Sequence, residues 1–126
     1  MAIDIRAHAA DIPQSAQKVG LVVDLVRGKD VNEAMNILKF TPSKAAQPLS
    51  KLLASAIANA EKNVGVPRSQ LYVHQIVANE AQTRKWRRFG ARGRFKPWLR
   101  RASHVSLVLR QREGAEAPAP AAAAAE

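Results

Sequence analysis

Every Asp and Glu of this chain lies outside the span Ala81–Arg112, which carries eleven of its twenty Lys and Arg. Within that span, RKWRRFGARGRFKPWLRR (Arg84–Arg101) holds nine of the bases and four of the six aromatic residues. Like charges at that density repel one another, and a core cannot take them in unpaired. The stretches on either side of the segment have the composition of strands. The segment must therefore leave the globule and return to it, and the fold is limited to a body with an excursion.

The remaining 94 residues hold nine bases and ten acids, so the body is close to neutral and one segment carries the net charge of +10. A field concentrated in this way attracts polyanions. At 126 residues the chain has room for one domain with a modest core. It has no Cys, which excludes a disulfide framework and a thiolate metal site. No apolar run approaches the ~18 residues of a membrane span. The opening MAIDIRAHAADIPQ lacks a basic region followed by an apolar one, so it does not read as a signal peptide, and an intracellular soluble protein is expected.

Ile3, Ile5, Ala7 and Ala9 alternate with polar residues, as in a half-buried strand. Ser15 is placed to cap a helix bearing Val19, Val22, Val23 and Val26, with Gly28 as the left-handed residue after it. Asp30-x-x-Glu33 has capping-box spacing ahead of a second helix through Ala34, Met35, Ile37 and Leu38. Thr41-Pro42 reads as the cap and first residue of a third helix running to about Asn63, in which Pro48 would introduce a kink. Leu71–Ala78 and His104–Leu109 read as strands, the first with a parity change near Gln75-Ile76 that suggests a bulge. The expected fold class is α+β: a small three-stranded antiparallel sheet, three helices on one face, and a long protruding β-hairpin. Residues 1–112 form the single domain, with the hairpin at about 82–102. The stretch EGAEAPAPAAAAAE (residues 113–126) buries too little apolar area to order and is expected to be a disordered tail.

If the two later strands pair, the basic segment becomes a two-stranded ribbon turning at Ala91-Arg92-Gly93, with Gly93 at positive φ and Gly90 beside the turn. Setting Trp86 against Trp98 and Phe89 against Phe95 gives two favourable cross-strand pairs, but opposes Arg84 to Arg100 and Arg88 to Lys96. An exposed ribbon with that balance is expected to order only where a polyanion neutralises it. About ten residues per arm at ~3.3 Å each give a reach of roughly 30 Å. Arg84, Lys85, Arg87, Arg88, Arg92, Arg94, Lys96, Arg100 and Arg101 are the candidates for phosphate contact. Trp86, Phe89, Phe95 and Trp98 are placed to stack on bases or to stiffen the arm.

No catalytic or metal site is expected, and no cofactor. His8, His74 and His104 are far apart in sequence, without HxH or HExxH spacing. His74 and His104 are the two that could meet across a ladder. No GxSxG turn, Walker-type loop or paired carboxylate stands out. A membrane-surface element is the rival reading of the basic segment, but its spacing gives no helical apolar face, and Gly90, Gly93 and Pro97 would break such a helix.

Four ordered stretches, SAQKVGLVVDLVRGK (Ser15–Lys29), NEAMNILKFTPSKAA (Asn32–Ala46), SAIANAEKN (Ser55–Asn63) and GARGR with RRASH (Gly90–Arg94, Arg100–His104), resemble the bacterial-type large-subunit ribosomal protein twenty-two family. The resemblance covers about residues 3 to 112. It implies an α+β body near the mouth of the peptide exit tunnel, a hairpin lining the tunnel, binding to large-subunit rRNA and neighbouring ribosomal proteins, help in subunit assembly, and contact with the nascent polypeptide. It also implies that Lys18 faces rRNA from the body, and a cytoplasmic location in the ribosome. Gly20 departs from the basic residue usual in the family. A free single-stranded RNA or DNA chaperone is the alternative reading.

Overall fold

The alternating apolar stretches become a sheet whose middle strand comes last in the chain. The computed structural model describes residues 4–112, so Ile3 and the expected tail from Glu113 lie outside the described residues. The order is β1 (Asp4–Ile12), α1 (Ala16–Val26), α2 (Val31–Phe40), α3 (Ala46–Asn59), β2 (Leu71–Glu80), β3 (Arg84–Phe89), β4 (Phe95–Arg100) and β5 (Ser103–Gln111). A π-helical turn, Ala60–Val64, closes α3. β5 pairs antiparallel with β1 on one side and β2 on the other, and β3 and β4 form a separate two-stranded ribbon. The expected α+β class and sheet are therefore what the chain adopts.

Side-chain parity explains how the sheet meets the helices. On β5, Ser103, Val105, Leu107 and Leu109 point inward and are buried, and the residues between them are half-buried. β1 turns Ile5 inward on odd parity but Ile12 on even parity, which a strand cannot do without an extra residue. The register shift between Ala9 and Ile12 supplies it, and Asp11 takes a positive φ of 55° there. The same conflict in LYVHQIVA, with Leu71 and Val73 odd and Ile76 even, produces the expected bulge, between Val73 and Gln75. The α1–α2 connection is sewn to β2 at this point. The Gly28 N–H donates to the Val73 carbonyl at 3.2 Å, the Val73 N–H donates to the Lys29 carbonyl at 2.9 Å, and the Arg27 guanidinium donates to the Ile76 carbonyl at 3.0 Å. Gly28 has a φ of +80°, as its position after α1 requires.

α1 buries Val19, Val22, Val23 and Val26, and the Ser15 hydroxyl caps it by accepting from the Lys18 amide at 3.4 Å. Three local expectations need correction. Asp30 precedes α2 but its carboxylate does not cap it, because Arg112 takes that carboxylate in an ion pair. Thr41 does not open α3. Its hydroxyl donates back to the Ile37 carbonyl at 2.5 Å, ending α2, and α3 begins at Ala46. Pro48 consequently lies in the first turn of α3, where its missing N–H has no intrahelical partner to lose, and the expected kink loses its cause.

Across the sheet edge, the Arg110 guanidinium donates to both oxygens of Asp4, at 2.8 and 3.3 Å, and holds that carboxyl below its usual range. A carboxyl depressed in the folded state stabilises above its unfolded value of about 3.9, and the contribution fades as pH falls through the folded value. Asp4→Asn should therefore lower the thermal midpoint at pH 7, and the gap to wild type should close below about pH 4. Leu107 is 1% exposed. Leu107→Ala should cost about 2–5 kcal/mol in urea unfolding, whereas Leu21→Ala on the exposed side of α1 should stay within ~0.5 kcal/mol.

Candidate nucleic-acid interface

The ribbon continues the β2–β5 ladder after a short interruption. Glu80 pairs with Ser103, the Ala81 N–H donates to the Ala102 carbonyl at 3.0 Å, and pairing resumes at Arg84 and Arg100. Trp86, Phe89, Phe95 and Trp98 are strong β-formers and favour an extended conformation here, and no residue of β3 or β4 is buried. The ribbon therefore adds nothing to the core and is held by its own hydrogen bonds and by its root.

The register has Arg84 against Arg100, Lys85 against Leu99, Trp86 against Trp98, Arg87 against Pro97, Arg88 against Lys96 and Phe89 against Phe95. This is the pairing anticipated from the aromatics. Alternation along the strands then sorts the side chains. Arg84, Trp86, Arg88, Lys96, Trp98 and Arg100 share one face, and Lys85, Arg87, Phe89, Phe95, Pro97 and Leu99 share the other. On the second face the Phe89 and Phe95 rings meet at 5.4 Å between centroids.

Like charges do oppose one another, but the structure also contains stacking that a rung-by-rung view misses. The Arg88 guanidinium lies 4.1 Å from the Trp98 ring centre, diagonally across the ladder, and Arg100 lies 4.9 Å from the same ring. Arg87 lies 5.5 Å from the Phe95 ring, again on a diagonal. Each such contact is worth about 0.5–1 kcal/mol at an exposed site. The aromatics thus spread the arginines over ring faces and leave the guanidinium edges free to donate.

The turn is tight. Ala91–Gly93 forms a single 3-10 turn with Arg92 at φ 57° and Gly93 at φ 72°. Gly90 donates its N–H to the Arg94 carbonyl, and a Cβ built on Gly90 would stand 2.8 Å from that oxygen. Arg92 and Arg94 are exposed on either side of Gly93.

Lys18, the third residue of α1, is not near the tip. It lines a cleft at the root of the arm with Arg84, Arg100 and Arg101. Lys44, Gln14, Gln17 and Gln82 line the same cleft and were not singled out by the sequence. They come together only because the turn into α1, the residues ahead of α3 and the arm root converge, and no local pattern signals that. The histidine expectation also changes. His104 meets His8, at 5.7 Å between ring centroids, and His74 lies beside Tyr72. His8 on β1 stands opposite Ser106, two residues along β5 from His104, whereas His74 lies at the β2 bulge beside Val108 and Leu109, near the other end of β5.

An α+β body bearing a coreless cationic ribbon has the electrostatic form of a nucleic-acid-binding protein. The family model for ribosomal protein L22p/L17e matches residues 7–110. A large ribosomal subunit protein uL22 from Clostridium tetani is 46% identical over 111 residues, covering 88% of this chain and all of that protein. The protein of the same name from Finegoldia magna is 47% identical over 108 residues, covering 86% of this chain and 96% of its own length. The chain belongs to the ribosomal protein L22p/L17e family and is a structural protein, not an enzyme.

Gly90→Ala should open the turn, because the added methyl displaces the Arg94 carbonyl. Nuclear Overhauser contacts between the Phe89 and Phe95 rings should weaken or vanish, while those within β1, β2 and β5 remain.

Proposed function

We propose that the ribbon is the element by which this chain grips folded rRNA, with its Gly90–Arg94 tip reaching along the nascent-peptide exit tunnel. As a member of its family the chain is a constituent of the large ribosomal subunit, associated with that subunit's rRNA and neighbouring proteins, and it acts in the cytoplasm within the ribosome. The single observation that carries the role of the arm is the separation of charge from core. Nine Lys and Arg and no acid stand on an exposed ribbon that buries nothing, rooted in a body where eleven Lys and Arg are set against seven acids.

In this reading Arg84, Lys85, Arg87, Arg88, Arg92, Arg94, Lys96, Arg100 and Arg101 meet phosphates and release their counterions, each contact adding about 0.7–0.9 to the salt slope of binding. Trp86, Phe89, Phe95 and Trp98 stack on unpaired bases or keep the ribbon straight. Shape and backbone contact, more than readout of base edges, position such an arm in RNA. The neutralised arm helps early assembly by tying separate RNA elements together. Its tip then forms part of the wall that the emerging polypeptide passes.

Replacing Arg84–Arg101 with an Asn-Gly turn tests this. The shortened chain should unfold within a few degrees of wild type, since the body's buried side chains all remain, yet be depleted from sedimenting large subunits. Normal incorporation of a folded, armless chain would sink the proposal. A free nucleic-acid chaperone would instead leave the wild-type chain in the unbound fraction at moderate salt.

A further inference from the structure

Four of the eight large apolar side chains exposed among the described residues stand on the ribbon. Three of them, Phe89, Phe95 and Leu99, share a face with Pro97, and Phe89 is 87% exposed. Phosphate contact accounts for the cations of this face and leaves its apolar part without a partner. Stacking on bases does not fill the gap. The Phe89 and Phe95 rings meet each other, and the Arg87 guanidinium lies beside Phe95. An anionic bilayer surface offers negative charge and apolar depth together.

As a helix the segment has no apolar face, and its glycines and proline would break it. As a ribbon its period of two gathers Phe89, Phe95, Pro97 and Leu99 onto one side. The two cations on that side suit an interface. Lys85 and Arg87 have apolar stems that can lie along the rings while their charged heads reach lipid headgroups. No acid stands on the ribbon, so all nine bases of Arg84–Arg101 add to the attraction. Those on the Trp face still feel the surface, because screening at physiological salt sets in only over about 8 Å.

The backbone limits the depth. Each strand of a two-stranded ribbon keeps one edge unpaired, and hydrocarbon would leave those polar groups unsatisfied. No helix among the described residues is long and apolar enough to cross a membrane. Contact is therefore confined to the headgroup layer.

We propose that the free chain has a second binding activity: before RNA takes the arm, the ribbon adsorbs to anionic phospholipid surfaces with its Phe89–Phe95 face down. RNA and lipid draw on the same bases, so the two bound states exclude each other. The activity does not depend on the tunnel placement proposed above and needs only a free ribbon.

The test mixes the full-length chain, freed of RNA, with vesicles and measures the fraction that sediments with them. One set holds phosphatidylglycerol and phosphatidylcholine in equal parts, the other phosphatidylcholine alone. The chain should bind the first set and stay in solution with the second. Leu99→Ser removes an apolar side chain that faces Lys85 and takes no part in the ring contacts described above. It should weaken binding to anionic vesicles several-fold, with cross-strand nuclear Overhauser contacts showing that the ribbon is intact. Phe89→Ser with Phe95→Ser should weaken binding by about tenfold or more. Leu21→Ser with Leu25→Ser, on the exposed side of α1, should leave it unchanged. Both tryptophans of the chain are on the ribbon, so their fluorescence reports its orientation. In the bound state they should stay open to quenching by acrylamide, because they face water. Failure to bind anionic vesicles overturns the proposal and leaves the rRNA reading standing. So does binding that the Leu99 and Phe variants leave unchanged, which is adsorption by charge alone, and so does equal binding to phosphatidylcholine. Loss of acrylamide quenching on binding overturns the assignment of the face.

Discussion

β5 is hydrogen-bonded to strands on both sides, and its inward side chains Val105, Leu107 and Leu109 are almost wholly removed from water. The burial of these three and of Leu71, Val73 and Ile76 across the ladder, at roughly 1.5–3 kcal/mol per large side chain, fixes β2 and β5 in one register. That register sets where the two chains leave the body, at Glu80 and Ser103. Slipping β5 by one residue would turn Val105, Leu107 and Leu109 to solvent and put His104, Ser106 and Val108 into the core. The aim of the arm is thus determined by the apolar packing at its foot, although no arm residue takes part in that packing.

This arrangement lets two conflicting demands coexist. A core needs low charge, and an RNA grip needs high charge. The chain meets both by placing them on the same pair of strands at different distances from the helices. Within the body, the arginines are paired locally, as in Arg110 on Asp4, Arg112 on Asp30 and Arg27 on Asp24. On the arm, aromatic faces take the place of acids, so the guanidinium groups are steadied without being neutralised. Such a surface stays available to an outside anion, which an internal carboxylate would displace.

Much of this was legible from local pattern. Ser15 before a run of valines announced α1, the parity conflict in LYVHQIVA announced the bulge, and pairing like aromatics recovered the register of the ribbon. These features depend on neighbours in sequence or on one ladder. The misses share a different origin. Thr41 has the chemistry of a helix start and of a helix end, and only the packing of α2 and α3 decides that it binds backward to Ile37. Asp30 has the spacing of a cap, but Arg112, at the other end of the domain, competes for its carboxylate. The root cleft and the His8–His104 pair join residues far apart in sequence, so neither leaves a local trace.

The ribbon's two sides are chemically unlike: one presents two tryptophans among four cations, the other a phenylalanine pair with Pro97 and Leu99 and only two cations, Lys85 and Arg87. A rod with identical flanks could enter a channel at any rotation about its long axis. This one is keyed, like a blade with one serrated edge, and its roll is inherited through the backbone from the pleat of β2 and β5. Adding a single residue to β3 between root and tip would exchange the flanks of one strand beyond that point while leaving the other unchanged. The key would then be scrambled with hardly any change in total charge, length or composition.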